Sequence, residues 1–292
     1  MATTDTTPRE NSLEWLINMT ESVYTLPLFY DRLTEVINHP RSSIEDITDV
    51  ISKDQGLTAR LLKLANSPLF GYFSKIDSIG KAATIIGTQQ LQAMALAVSV
   101  TEVFTGIPEN LVNMKTFWQH SIACGITARA LAIYRREANV ERVFAAGILH
   151  DVGRLVMCTA IPDIFRELLV AGREENALLV SLEEERLGFS HADVGGRLLE
   201  KWCIPASIAE PVACHHSPNG ARKFPLEAAF IHLADIICKS LGLGFNGEWV
   251  VPPLDPSAWE RLDIPADALA EIIKHVEPQL SETTAILRGS AP

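Results

Sequence analysis

His150 and Asp151 are adjacent within residues 143–158 (VFAAGILHDVGRLVMC), a run whose only other clearly polar side chain is Arg154. A carboxylate in such surroundings is costly unless it is paired or holds a metal. Two readings are open. Asp151 and Arg154 could form an ion pair one turn apart beside a core histidine, or Asp151 could hold a metal. Residues 226–238 (LEAAFIHLADIIC) repeat the pattern. On a helical wheel Asp235 falls opposite the Leu226, Phe230, Leu233 and Ile237 stripe, so it needs a counter-charge. Lys239, one turn on, a metal, or a histidine from elsewhere would each supply it.

Further histidines widen the candidate set. His120 lies on an apolar stripe with Phe117, Cys124, Ala128 and Leu131, where a core residue or a ligand would fit. His191 follows Ser190 in Ser-His-Ala-Asp, a capping-box pattern that sets its ring at a helix mouth. His215 and His216 sit together before Ser217-Pro218, either as polar residues favoured at a helix C-terminus or as ligands. Taken together, His120, His150, Asp151, His191, His215, His216 and Asp235 offer imidazole nitrogens and carboxylate oxygens. That donor mix suits one or two ions of iron, manganese or zinc, with an aspartate able to bridge a pair. Two ions about 4 Å apart would hold a phosphate ester and activate water.

The elements that must position these groups are helices. Strand patterns are nearly absent, and apolar residues recur at three- and four-residue spacing, as at Leu57, Leu61, Leu62 and Leu64 before Asn66-Ser67-Pro68 closes the helix. The chain of 292 residues therefore reads as all-α, with a polar, disordered tail over residues 1–12. An N-terminal helical subdomain spans 13–108, and a bundle over 109–292 carries seven of the eight histidines. The stretch containing Pro252, Pro253 and Pro256 reads as a loop before closing helices that run to about Leu287.

Composition limits the function classes. Asp and Glu outnumber Lys and Arg by 36 to 25, a net charge of -11, and apolar residues are 47% of the chain. That balance argues against a nucleic-acid or anionic-membrane partner, since both need a positive field. Five cysteines without CxxC spacing, and no signal peptide, point to a reducing cytoplasm. Residues 82–101 are uncharged and as long as a membrane span. Gln89, Gln90 and Gln92 at their centre, with Gly87 interrupting, make a buried helix after a turn the better reading.

The order His120, His150-Asp151, Asp235 resembles the HD superfamily of metal-dependent phosphohydrolases. His191 in HADVG and the His215-His216 pair look like the fuller ligand pattern of its HD-GYP branch, which hydrolyses cyclic di-GMP. The upstream half is similar to the HDOD family, through Ile51, Asp54, Leu57, Thr58, Leu61, Leu62, Ala65-Asn66-Ser67, Phe70-Gly71, Ser78-Ile79, Ala82 and Gly87. The resemblance runs from about Tyr24 to about Ser240. It implies a bacterial, cytoplasmic, all-helical output module of signal transduction, whose partners are other signalling proteins. Where ligands survive, it also implies a divalent metal site that could take a nucleotide or phosphate ester. Two departures bear on activity: no Gly-Tyr-Pro follows His216, and Arg154 stands at the lysine of HDxGK. The resemblance thus favours an interaction module, with a metal-dependent phosphohydrolase as the alternative, for which it implies Asp151 as the central catalytic residue and Arg154 as a phosphate contact.

Overall fold

The computed structural model describes residues 12–21, 24–26, 28–72, 74–104 and 107–289, so most of the expected N-terminal tail lies outside the described residues. Among these the regular structure is helix throughout, with no strand. The upstream half comprises α1 (Leu13–Glu21), α2 (Leu28–Asn38), α3 (Ile44–Ser52), α4 (Gln55–Ala65), α5 (Ile79–Ile86) and α6 (Thr88–Val103). Local chemistry sets their ends. Ser43 and Asp46 form a capping box at α3, and Asp54 accepts from Leu57 N at 2.9 Å at the start of α4. Asn66 ends α4 and clamps the following loop: its amide donates to Leu62 O and Ile76 O, each at 2.7 Å, and its oxygen accepts from Ile76 N at 2.8 Å.

The uncharged stretch 82–101 is divided between α5 and α6 by Gly87, whose φ is +98°. α6 buries Leu91 through Val100 without a break, which is why that run carries no polar face.

The downstream half begins with α7 (Met114–Tyr134), followed by α8 (Val140–Leu149), α9 (Val152–Ala160), α10 (Pro162–Glu175), α11 (Leu179–Leu187), α12 (His191–Lys201) and α13 (Ala206–Ala213). After a 3-10 turn at Pro218–Gly220 come α14 (Pro225–Ser240), α15 (Pro256–Leu262), α16 (Ala266–Lys274) and α17 (Val276–Leu287). α7 is the central rod, packed by α8, α14, α16 and α17. The halves interlock: α1 lies on α9 and α12, α6 on α8, and α17 on α4. Residues 140–160 form the one helical stretch among those described that is long and apolar enough to cross a membrane, and 89% of that window is buried inside the fold.

Two close helix crossings bring the candidate residues together. At the α7–α8 crossing, a Cβ on Gly147 would come 2.7 Å from Gly125 Cα, so only paired glycines let His120 approach His150. At the α9–α12 crossing, a Cβ on Gly153 would lie 1.9 Å from His191 O.

Candidate metal centre

The run 143–158 is not one helix. It breaks between α8 and α9 at His150-Asp151, where Asp151 takes φ −101° and ψ 5°. Adjacent residues of a continuous helix point about 100° apart. The break turns both side chains into the same buried space, with His150 Nε2 3.1 Å from Asp151 Oδ2. α7 delivers His120, whose Nε2 lies 3.0 Å from Asp235 Oδ1 and 3.9 Å from Asp151 Oδ2. α14 delivers Asp235, also 3.6 Å from His150 Nε2. The Ser190–Asp193 capping box fixes the start of α12, and His191, its first residue, sets Nε2 3.2 Å from Asp151 Oδ1. Beyond α13, His216 Nε2 stands 3.0 Å from His191 Nε2. The His215 ring centroid is 5.1 Å from that of His150 and 5.4 Å from that of His191. All seven candidate donors converge. Except for half-buried His216, each is at most 2% exposed.

Backbone carbonyls choose the tautomers. His150 Nδ1 donates to Gly147 O at 2.8 Å and His215 Nδ1 to Val212 O at 2.7 Å, so each Nε2 lone pair is turned inward. Those two Nε2 atoms are buried without a hydrogen-bond partner, and Asp151 Oδ1 meets only ionic neighbours, Arg154 Nε at 3.1 Å and His191 Nε2 at 3.2 Å. Orphaned acceptors that face one another are what a cation satisfies. The charges agree: with every imidazole neutral, buried Asp151, Asp235, Glu183 and Glu248 oppose Arg154 and Lys239, four carboxylates against two cations, leaving two negative charges. Burial pushes His215 and His216 well below the usual imidazole range, and their histidine neighbours push further, which keeps both rings neutral. Burial also opposes protonation of His150, but Asp151 and Asp235 outweigh it and lift its pKa to about 10. A proton there takes the place a cation would fill. Burial raises Asp151 and Asp235, yet Arg154 and Lys239 respectively lead the interactions that hold both carboxyls well below the usual range.

Both counter-ions read from the sequence are present beside the histidines. Arg154 Nε is 3.1 Å from Asp151 Oδ1, and Lys239 Nζ is 2.8 Å from Asp235 Oδ2. Arg154 is wholly buried and also reaches Asn246 O at 3.3 Å and Glu248 Oε2 at 3.5 Å, so its guanidinium is engaged by the chain itself.

Sequence reasoning missed four participants. Glu183 on α11 accepts from His191 Nδ1 at 2.5 Å and His191 N at 2.8 Å, fixing that ring. Asn246 donates to Asp151 Oδ2, and Glu248 accepts from Leu179 N at 3.1 Å besides meeting Arg154. Cys124, one turn after His120, puts Sγ 3.6 Å from His120 Nε2. Only Cys124 had a sequence signal, its i+4 spacing on the His120 stripe. His232 is structural: Nδ1 donates to His215 O at 2.8 Å and Nε2 accepts from Asp255 N at 3.0 Å. Groups of donor atoms within 4.8 Å of one another are His120, Cys124, His150 and Asp235; His150, Asp151 and His215; and His191, His215 and His216.

An all-helical fold whose buried His/Asp cluster spans a broken helix defines the class, an HD-like bundle with an upstream helical block. The HDOD domain pattern matches residues 23–218, and the chain belongs to the HDOD family. A Geobacter sulfurreducens HDOD domain protein of unknown function is 26% identical, with a TM-score of 0.72 over 95% of this chain and 97% of that one. A protein of Shewanella amazonensis SB2B, provisionally named a phosphohydrolase, is 22% identical with a TM-score of 0.72 over 93% and 97%. An uncharacterized protein of Treponema pallidum (strain Nichols) is 26% identical over 278 residues, which are 94% of this chain and 51% of that one. The chain thus spans about half the length of this relative.

Proposed function

We propose that the chain is an output module of bacterial, cytoplasmic signal transduction, working through contacts with other signalling proteins around a divalent-metal site. The observation that carries this reading is a donor cluster complete enough for metal yet enclosed by its own chain. Six of the seven donors are at most 2% exposed, while Asn246 and Arg154 occupy the space beside Asp151. Residues His120, His150, Asp151, Asp235, His191, His215 and His216 would hold one or two ions of iron, manganese or zinc. Such an ion supplies Lewis acidity and, in an open site, activation of water. In the enclosed arrangement its main effect is to neutralise the buried charge and tie α7, α8, α12 and α14 together.

The alternative is a metal-dependent phosphohydrolase acting on a nucleotide or other phosphate ester. Its support is the survival of all seven donors. Arg154 could meet a phosphate only after leaving Asp151 and Glu248.

Elemental analysis of untagged protein tests both readings. Stoichiometric metal with no hydrolysis of cyclic dinucleotides, nucleotides or simple phosphate esters is the expected result. Turnover abolished in Asp151→Ala would establish the enzyme. Absence of metal even after reconstitution would end the metal-centre reading.

A further inference from the structure

Cys124 is the one donor at this centre that the His/Asp pattern does not include. It is fully buried on α7, one turn from His120 on the same face. Its Sγ, His120 Nε2, His150 Nε2 and an Asp235 oxygen all lie within 4.8 Å of one another. Tetrahedral zinc has bonds of about 2.0–2.2 Å to nitrogen or oxygen and about 2.3 Å to sulfur, so ligand atoms sit about 3.3–3.6 Å apart. The separations here are 3.6 Å for Cys124–His120, 3.6 Å for His150–Asp235 and 3.0 Å for His120–Asp235. An ion would need shifts of only a few tenths of an ångström at these pairs.

The carboxylates bear on the choice of ligands. Asp151 is already engaged by Arg154 Nε at 3.1 Å and by the Asn246 amide. Asp235 gives Oδ2 to Lys239 and turns Oδ1 to the histidines, so it offers the ion a single oxygen. A thiolate is a soft donor and selects a softer ion than an all-N/O set does.

We propose that Cys124, His120, His150 and Asp235 form a closed four-ligand zinc site, an inference that rests on the metal-centre reading above. Zinc binding displaces the Cys124 thiol proton to solvent and forms the Zn–S bond. With four protein ligands the ion has no open position, so it is a structural zinc. Any ion that exchanges or meets a ligand would belong to the His191, His215 and His216 group, where half-buried His216 lies nearest solvent.

The test uses the full chain loaded with zinc for X-ray absorption and with cobalt(II) for optical spectra. One sulfur scatterer at about 2.3 Å is expected, together with a near-ultraviolet thiolate-to-cobalt band. Cys124→Ser should abolish the band and weaken zinc binding at least tenfold, whereas Cys238→Ser should keep both. Zinc bound by nitrogen and oxygen alone, or a band that persists in Cys124→Ser, overturns the proposal and leaves the metal centre standing. Failure of the wild-type chain to bind any metal overturns both. If Cys124→Ser does not fold, the wild-type absorption spectrum decides by itself.

Discussion

The upstream helices α2–α6 and the bundle around α7 use polar side chains in opposite ways. Upstream, they close onto the backbone they organise: Asn66 onto Ile76 and Leu62, Ser67 Oγ onto Leu64 O at 2.7 Å, Asp54 onto Leu57 N. Around α7, histidines and carboxylates from five helix segments face one another. Every buried imidazole or carboxylate atom without a hydrogen-bond partner, among the described residues, lies there: His150 Nε2, Asp151 Oδ1, Glu183 Oε1 and His215 Nε2. Satisfied polar groups specify a fold, while unsatisfied ones of matching chemistry mark where the fold expects another component.

Asp151→Ala should break the contrast most severely. It leaves the buried Arg154 guanidinium with Glu248 at 3.5 Å as its remaining ion-pair partner, and removing one partner of a buried pair costs about 3–5 kcal/mol. Denaturant unfolding should record that loss, and elemental analysis should find metal below stoichiometry. A stability loss under about 1 kcal/mol would mean Glu248 alone suffices for Arg154. Asn66→Leu is the upstream counterpart. It orphans both backbone groups of buried Ile76, costing about 2–3 kcal/mol, and metal content should not change. Metal lost together with stability there would show the two regions to be one cooperative site.

Glu183→Gln separates orientation from folding. The amide oxygen can still accept from His191 N, but the charge that raises ligand basicity is gone. Metal affinity should fall about 10–100-fold, as for other partners of ligating histidines, with a much smaller change in unfolding midpoint. Equal affinity in isothermal titration would remove His191 from the ligand set.

What could be read from the chain follows the same division. The helices, the capping box at Ser190 and the identity of the seven candidate donors were legible, because each depends on local periodicity or on a pattern of types, whereas their convergence across 115 residues was not. The break at His150-Asp151 was not, since the apolar run continues through it, and the close crossings at Gly147 and Gly153 on either side appear only in three dimensions. Asn246 and Glu248 were invisible for another reason. They lie in a loop without periodicity and reach back 95 and 94 residues to Asp151 and Arg154. Glu183 looked like one acidic residue among three, Glu183-Glu184-Glu185, and only burial singles it out.

The two capping boxes offer the finest version of the comparison. Ser43 with Asp46 and Ser190 with Asp193 make the same reciprocal bonds, each serine oxygen accepting from its N3 amide at 3.3 Å. Replacing either serine with alanine should therefore cost about 1 kcal/mol. Only at Ser190 is the next residue a donor of the buried cluster, so relaxation of that helix mouth moves His191 Nε2 away from Asp151 Oδ1. Ser43→Ala should lower the unfolding midpoint alone, whereas Ser190→Ala should lower it by a similar amount and also weaken metal binding. Identical metal affinity in the two variants would mean that Glu183 holds the His191 ring without help from the cap.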